Sequence, residues 1–374
     1  MPNKYEGLFD FLVNSGSASV STSIMFRSGL PGWLDLLIDS MRLFLWVLLN
    51  RINPFKVKFI FTRRQFEKAD AVVFMHYGYF THENIEMACK GAELAKYFAN
   101  SKVKKIVHLT HYLYNPKVGA DNLRTLDPDL LVAENDLKEN SKYFNRYFDD
   151  VAGDFYQLPY VAGVRFDRRR AFGERVNKLG VTGSITYKLQ DPEFIDFFGQ
   201  GELQPMRRKL YQQRANIADQ IDCLIYDLDE SRRMLAEAES SGDTGQEVRA
   251  KIKALQREYY NTDIVEFFNR YTMFSVPEEV CDLPGIGFIE GMACGTAYFG
   301  IDDPMYRSIG MIPGINYVAY DGTVSGLLEK ITYYQMHLDE LESIANLGYQ
   351  FAHEKMSKEE VYSAMLARIE ELIR

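Results

Sequence analysis

Short apolar runs alternate with helical patterns through the first half of the chain. Each apolar run has the length of a buried strand, and two of the helical patterns cover residues 81–99 and 136–148. The apolar runs occupy residues 57–62, 70–76, 104–111, 129–135 and 154–161. Strands and helices that alternate at these lengths predict parallel βαβ units, and therefore a doubly wound sheet.

A second series of the same kind fills the rest of the chain. Its apolar runs occupy residues 179–187, 221–228, 272–277, 295–301 and 315–320. Between the second and third runs, the polar helical stretch 229–260 is broken at SSGDTG, which indicates a solvated helical hairpin. The last helix begins near Ser357 and Glu360, which have the spacing of a capping box.

The polar and charged segment 163–178 separates the two series and predicts a domain boundary. The predicted fold class is α/β, with Rossmann-like domains at 1–165 and 170–356 and a terminal helix at 357–374. Ligands of such sheets bind at the carboxyl ends of the strands, so we expect the two domains to face each other across a cleft.

An amphipathic helix is predicted at residues 32–51, where Asp35, Asp39 and Arg42 exclude a membrane span. Its apolar positions recur at helical spacing: Leu34, Leu37, Ile38, Met41, Leu45 and Leu48. This face has two interpretations, because it can pack on its own domain or lie in a membrane interface. Basic residues that would favour an anionic leaflet follow it: Arg51, Lys56, Lys58, Arg63 and Arg64.

Composition narrows the class of protein. The chain has 374 residues, 47% of them hydrophobic, and a formal net charge of −9, which argues against a general nucleic-acid binder. The four cysteines form no CxxC pair and no His/Cys cluster with zinc spacing, so we expect no metal site. No signal-peptide pattern is present at the N-terminus, which leads us to expect a cytoplasmic protein.

The stretch CDLPGIGFIEGMACG, residues 281–295, places two carboxylates, Asp282 and Glu290, eight positions apart. The predicted strand 272–277 ends just before it, so the loop 278–284 lies at a carboxyl end. A helix is predicted from about Gly285, with Glu290 about one and a half turns inside it. Alone, this spacing also fits an ordinary strand-to-helix junction with incidental acids.

The chemistry of this stretch suits a nucleotide sugar. The backbone N–H groups of Gly285, Ile286 and Gly287 would start the helix, where unpaired donors and the helix dipole favour a diphosphate. A carboxylate at Glu290 can accept hydrogen bonds from ribose hydroxyls, and one at Asp282 can accept them from a sugar.

The motif resembles the E-x7-E signature of retaining GT-B glycosyltransferases, notably family four. The segments 157–166, 263–268, 295–300 and 311–323 are similar to the family's flanking segments and occur in the same order. The resemblance covers roughly residues 100–374. It implies a GT-B fold and transfer of a sugar from a nucleoside diphosphate to an acceptor hydroxyl with retention. It also implies that the reaction needs no metal and no cofactor besides the donor substrate.

Several positions depart from the family pattern. Asp282 is one methylene shorter than the usual glutamate. The family carries a diphosphate-binding arginine and lysine after the first strand of the second domain, whereas here Gly183 is followed by Ser184, and Lys188 can serve as the lysine. Two neighbouring arginines are candidates for the missing charge, although they also fit a solvated helix face: Arg207 and Arg208.

Histidines offer further candidates. His111 follows VHLT, where the resembling family often carries a histidine near the donor sugar, and His76 also ends a predicted strand. His108 lies within a strand and is expected to be a core residue.

The sequence thus predicts a glycosyltransferase with a nucleotide-sugar donor and a carbohydrate or lipid-linked acceptor. Its expected role is bacterial surface-polysaccharide or glycolipid synthesis, with possible attachment to the inner face of the plasma membrane. Two alternatives stay open. One is a sugar-nucleotide epimerase or inverting transferase on the same fold, and the other is a degenerate, non-catalytic GT-B binding subunit.

Overall fold

The structure is a computed structural model, and the chain forms two compact units. One contains residues 1–158 together with 358–374, and the other contains residues 159–357. We call them unit 1 and unit 2. The structure describes residues 6–14, 21–22, 41, 44–45, 48–49, 58–59, 67–74, 92, 94–109, 112–185, 189, 191–240 and 246–374.

Unit 1 contains a four-stranded parallel sheet. Its strands follow one another in spatial order: β3 (Ala71–Phe74), β4 (Lys104–His108), β5 (Leu130–Ala133) and β6 (Asp154–Gln157). A separate parallel pair joins β1 (Ser21–Thr22) and β2 (Lys58–Phe59). The helices of this part include α1 (Glu6–Asn14), α2 (Pro116–Leu126), α3 (Leu137–Asn140) and α4 (Lys142–Phe148). Within the predicted helix 81–99, residues 92 and 94–99 are helical, and residues 81–91 and 93 lie outside the described residues.

The predicted helix 136–148 forms as two helices, α3 and α4, that meet at Ser141. Asp136 caps α3 by accepting a hydrogen bond from Glu139 N at 3.1 Å. Ser141 has extended dihedral angles, and its hydroxyl accepts from Phe144 N at 3.1 Å to begin α4. A side chain that caps a new helix replaces the bonds that would continue the old one, which explains the break.

Unit 2 contains a five-stranded parallel sheet with β7 and β9 next to each other near its middle. The spatial order is β11 (Val318–Tyr320), β10 (Ala297–Ile301), β9 (Tyr271–Ser275), β7 (Val176–Ile185) and β8 (Ile221–Asp227). Its helices are α5 (Pro192–Phe198), α6 (Pro205–Gln213), α7 (Leu228–Ser240), α8 (Gln246–Asn261), α9 (Ile264–Arg270), α10 (Gly287–Ala293), α11 (Pro304–Arg307), α12 (Val324–Met336) and α13 (Leu338–Gln350). A 3₁₀ turn at Phe172–Glu174 precedes the sheet, and a π-helical turn at Phe351–Lys355 follows α13.

The predicted helical hairpin appears in unit 2 as α7 and α8, which pack against each other and against β7 and β8. One apolar cluster joins the sheet to α6, α12 and α13. Its members include Leu179, Val181, Met206, Leu210, Met273, Phe299, Leu327, Ile331, Leu341 and Ile344. Burial of these side chains is the main favourable contribution to the stability of unit 2.

The division between the units lies at residue 158, earlier than the predicted segment 163–178, because that segment bonds to unit 2. Arg169 pairs with Asp263, and Arg170 pairs with Glu266. Arg175 is buried and donates to Thr296 Oγ1 at 2.6 Å and to Cys294 O at 2.9 Å. Burial lowers the pKa of the Arg175 guanidinium to about 10.

The terminal helix α14 (Lys358–Ile373) belongs to unit 1 rather than standing alone. Its Tyr362 ring lies 5.7 Å from the ring of Phe11 in α1, and its hydroxyl faces Gly7. Arg368 forms an ion pair with Asp154 at the start of β6. Residues distant in sequence therefore complete this unit.

Five residues of the predicted helix 32–51 are described, and the rest of that prediction lies outside the described residues. All five are helical and solvent-exposed, and we call them the apolar stripe: Met41, Phe44, Leu45, Leu48 and Leu49. Their exposed fractions range from 44% to 81%, so this face is not buried. In the described part of the chain, no helix has the length and apolar character needed to cross a membrane.

Candidate functional site

The sequence-predicted site residues of unit 2 gather at the carboxyl ends of β7 and β9. Gly183 and Ser184 lie at the end of β7, and the loop 276–286 follows β9. These strands are parallel neighbours, paired at Val181 and Ser275, so their carboxyl ends share one edge of the sheet. In sheets of this class, that edge is where ligands bind.

Arg207 lies between the two strand ends. It extends from α6, has only 5% of its surface exposed, and donates from Nε to Pro277 O at 2.7 Å and from Nη1 to Ser184 O at 3.0 Å. Gly183 has φ of +144°, and a Cβ at this position would lie 2.9 Å from Arg207 Nε. The glycine therefore allows the guanidinium to lie against the backbone of β7.

The third nitrogen of this guanidinium is available to a ligand. Nη2 lies on the side of Gly285, where an added Cβ would be 3.6 Å away. No group in the described ranges accepts a hydrogen bond from Nη2. The nearest carboxylate, Glu279, is 4.0 Å from Nη1 and accepts instead from Gln204 Nε2 at 2.9 Å. A buried guanidinium with an available N–H edge is suited to an anionic group such as a phosphate.

Arg208 has different surroundings although it is the next residue of the same helix. Its guanidinium contacts Glu202 at 2.6 Å, Asp227 at 2.7 Å and Asp229 at 3.2 Å. Burial opposes its charge, but the bonds to Glu202 and Asp227 outweigh burial and raise its pKa. The structure thus brings Arg207 to Gly183 and Gly285, and holds Arg208 within a group of carboxylates.

Asp282 lies in the loop after β9 and is partly exposed. Its φ is +57°, a left-handed conformation that few residues other than glycine adopt and that aspartate and asparagine tolerate best. Next to it, Cys281 is fully buried, and Val280 N donates to Leu203 O at 3.0 Å. A backbone hydrogen bond and the buried Cys281 side chain thus hold the loop in place, and the Asp282 side chain next to them is partly exposed.

Glu290 lies in the first turn of α10, whereas the sequence placed it one and a half turns inside the helix. Gly285 and Ile286 form a preceding turn in which Phe288 N donates to Gly285 O at 3.1 Å, so the helix begins at Gly287. Glu290 is partly exposed. Asp282 and Glu290 therefore flank one short turn at the carboxyl edge of β9.

The glycines of the motif also have a packing role that the sequence analysis did not anticipate. A Cβ on Gly287 would lie 2.8 Å from Val276 Cγ2, and one on Gly291 would lie 2.3 Å from the Phe274 ring. Such distances do not occur between real side chains. Gly287 and Gly291 let α10 pack directly on β9 and its following loop.

A buried carboxyl group, Glu278, fixes the start of the loop and was missed by the sequence analysis. It accepts hydrogen bonds from the hydroxyls of Tyr298 at 2.9 Å and Tyr306 at 2.7 Å, and from Ile301 N at 3.3 Å. Burial raises the pKa of Glu278 above its usual range, although these bonds oppose the shift. The run PEEV gives no signal that one of its two acids is buried and the other is not.

Three of the predicted site residues cannot be placed. His76 and His111 lie outside the described residues, as does Lys188 of unit 2. His108 is buried as expected, and its Nε2 lies 3.7 Å from Glu134 Oε1, with neither side chain exposed. Both residues lie at the carboxyl edge of the sheet of unit 1. Throughout the described ranges, no group of three or more His, Cys, Asp or Glu residues is arranged to hold a metal ion.

No protein-family model matches the chain, and no curated protein matches it. Solved structures do. Anabaena HepE in complex with UDP and glucose superposes with a TM-score of 0.53 at 10% sequence identity, covering 98% of this chain and 96% of HepE. A glycosyltransferase from Rickettsia africae ESF-5 superposes with a TM-score of 0.55 at 9% identity, covering 100% of this chain and 96% of that one.

The chain has the GT-B fold. The two parallel sheets of four and five strands correspond to the two Rossmann-like domains that the resemblance implied. In this fold the carboxyl edge of the unit 2 sheet, with Arg207, Asp282 and Glu290, is the strongest candidate site.

Proposed function

We propose that the protein is a glycosyltransferase that moves a sugar from a nucleoside-diphosphate donor to an acceptor hydroxyl with retention at the anomeric carbon. The observation that carries this proposal is the position of Arg207. Its guanidinium lies between the ends of β7 and β9, against Gly183, with Nη2 directed to the side of Gly285. HepE, which shares the fold, binds UDP and UDP-glucose, and this supports a donor of the same class.

Arg207 is assigned to the donor diphosphate. Nη2 would donate to a phosphate oxygen, and the backbone N–H groups of Gly285, Ile286 and Gly287 would donate alongside it. This assignment supplies the charge that Ser184 lacks. Lys188 is proposed as a second cation for the same group.

The two carboxylates are assigned to opposite ends of the diphosphate. Glu290 would accept hydrogen bonds from the ribose hydroxyls, and Asp282 would accept them from hydroxyls of the donor sugar. His111 is proposed to contact the donor sugar, as the resemblance implies. The resemblance at Asp282 and Glu290 supports retention as the stereochemical outcome.

Catalysis in this scheme rests on stabilisation of the leaving diphosphate. Negative charge develops on the diphosphate oxygens as the bond between the anomeric carbon and the diphosphate breaks. Arg207 and the backbone N–H donors, which are already in place, would stabilise this charge. Positioning of the acceptor hydroxyl contributes the rest of the rate enhancement. We expect no metal requirement and no cofactor, so activity should persist in a chelator such as EDTA.

The acceptor is proposed to be a carbohydrate or a lipid-linked carbohydrate of a bacterial surface polysaccharide or glycolipid. The apolar stripe supports a membrane-proximal acceptor, because apolar residues at helical spacing that are exposed to solvent suit a lipid interface. Five basic residues that follow the stripe would add attraction to anionic lipid: Arg51, Lys56, Lys58, Arg63 and Arg64.

A donor screen tests the proposal. Thermal unfolding should be measured with UDP-, GDP-, ADP- and dTDP-sugars, and at least one should raise the melting temperature, since a ligand at 100 times its dissociation constant adds about 2.7 kcal/mol to the folded state. NMR of the product anomer then checks retention. If no nucleotide sugar raises the melting temperature, the proposal is wrong.

A further inference from the structure

A pocket of about 510 Å³ opens in unit 2 beside the candidate site, and its wall includes the last turn of the helical hairpin. We call it the tyrosine pocket. It is lined by β7 and β8, by the end of α8, by the start of α9 and by the segment before β7, including Thr182, Leu224, Tyr259, Tyr260, Asp263 and Arg165.

The tyrosine pocket adjoins the proposed diphosphate position. Thr182 lines the pocket, and two residues further along β7 the carbonyl oxygen of Ser184 accepts from Arg207 Nη1 at 3.0 Å. Residues two positions apart on a strand are separated by about 7 Å, so the pocket wall begins about that far from the strand end that the guanidinium contacts. A donor with its diphosphate on Arg207 would therefore extend one of its ends into this pocket.

The two tyrosines of the pocket are held in place from behind by a third. Tyr226 of β8 is 4% exposed, and its ring centroid lies 5.8 Å from that of Tyr259 and 6.0 Å from that of Tyr260. Its hydroxyl is bonded to Ser231 Oγ at 3.2 Å. Tyr259 and Tyr260 meet edge to face at 5.1 Å and 83°. Rings held this way present a fixed surface before any ligand arrives.

Tyr260 is 67% exposed at the wall of the pocket, so its ring is accessible to a ligand. We propose that the tyrosine pocket takes the nucleobase of the donor, which stacks on Tyr260 beside Tyr259. This inference rests on the proposed function and deepens it by assigning the hairpin α7–α8 to nucleotide recognition. Aromatic side chains stack on any base, because every base has a π-face.

Calorimetric titration of the full chain separates the base from the diphosphate. UDP, GDP, ADP and dTDP are titrated first, and the tightest is then compared with inorganic pyrophosphate. Tyr260→Ala should weaken binding of the nucleotide by about fivefold or more, the lower range of base stacking. It should leave pyrophosphate affinity unchanged. Tyr260→Phe, which keeps the ring, should bind the nucleotide as the wild type does.

Tyr333→Ala is the matched control, since Tyr333 is also an exposed tyrosine of unit 2 but lies on α12, away from the tyrosine pocket. It should bind both ligands as the wild type does. Unchanged nucleotide affinity in Tyr260→Ala overturns the inference, and so does an equal loss for nucleotide and pyrophosphate, since that would indicate a general disturbance of the site. Those results leave the proposed function standing. A wild type that binds none of the four nucleotides overturns both.

Discussion

Asp282 and Glu290 lie on either side of one short turn, yet they are proposed to touch different parts of the donor. Asp282 holds a left-handed backbone in the loop, and Glu290 projects from the first turn of α10. Because both are partly exposed, neither is needed to fill the core. Neutral isosteres at these positions can therefore report on ligand binding without a large change in stability.

Glu290→Gln is expected to weaken nucleoside-diphosphate binding. Loss of a charged acceptor for ribose hydroxyls costs about 1.5–3 kcal/mol, or roughly a ten- to hundredfold rise in the dissociation constant. Isothermal titration measures this directly. Glu329→Gln, at an exposed position of α12, is the control and should bind as the wild type does. An unchanged dissociation constant for Glu290→Gln would remove the ribose assignment.

Asp282→Asn is expected to lower the rate of sugar transfer and to leave affinity for the free nucleoside diphosphate almost unchanged. Asparagine tolerates the φ of +57° at this position, so the loop should keep its shape. The comparison needs kcat with the nucleotide sugar and a titration with the diphosphate alone. Equal losses in both measurements would mean that Asp282 contacts the nucleotide and not the sugar.

Glu278 predicts a pH dependence of stability. Its raised pKa in the folded state means that folding favours the protonated form, so this contribution to stability is present at low pH and declines as pH rises through the folded-state pKa. Glu278→Gln removes the titration and is expected to gain in melting temperature relative to the wild type between pH 5 and pH 8. A difference in melting temperature that is constant over this range would show that Glu278 does not titrate differently in the folded and unfolded states.

At the scale of elements, the contact between α10 and β9 depends on two glycines on one side of the helix. Gly287 faces Val276 and Gly291 faces the ring of Phe274. The helix that carries Glu290 can approach its strand only because both positions lack a Cβ. The geometry of the candidate site is therefore set by packing behind it.

Gly291→Ala is expected to destabilise the protein by about 1–3 kcal/mol, because its Cβ would lie 2.3 Å from the ring of Phe274 in a filled core. Urea unfolding measures the change. Gly173→Ala is the matched control, since nothing lies within 4 Å of an added Cβ there. Equal stability of the two variants would show that α10 moves away from β9 without cost.

Periodicity predicted every strand of the four- and five-stranded sheets, because each parallel strand is a short apolar run whichever neighbours it has, but it missed the two-residue strand β1. It did not predict the break at Ser141 or the start of α10 at Gly287, since both depend on which hydrogen bond a single group makes. The same holds for the site. The proposal of Asp282 and Glu290 as site residues comes from their spacing and the resemblance, whereas the different surroundings of Arg207 and Arg208 depend on contacts with residues far away in the chain.

At the scale of the molecule, the exposure of the apolar stripe bears on the two interpretations of helix 32–51. A face docked on its own domain would be buried, and these residues are exposed. The exposure favours the membrane interpretation, which stays a prediction. A membrane-bound enzyme would meet lipid-linked acceptors in two dimensions.

Leu45→Glu with Leu48→Glu is expected to abolish flotation with anionic vesicles and to leave the melting temperature unchanged, because both side chains are about half exposed. Wild type should float with anionic vesicles at low salt and not with neutral ones. Met336→Glu, at an exposed position of α12, is the control and should float as the wild type does. A lowered melting temperature in the double variant would instead support a docked helix.

Unit 1 is assembled from two separate stretches of chain, residues 1–158 and 358–374, while unit 2 is continuous. The ribosome therefore synthesises every residue of unit 2 before it synthesises α14. Tyr362 of α14 packs against α1, and Arg368 forms an ion pair with β6. Domains usually fold in the order in which they are synthesised. In this chain unit 2 is complete before unit 1. A nascent chain stalled before residue 358 contains all of unit 2 but lacks α14, so the surface of α1 that α14 covers is still accessible to chaperones.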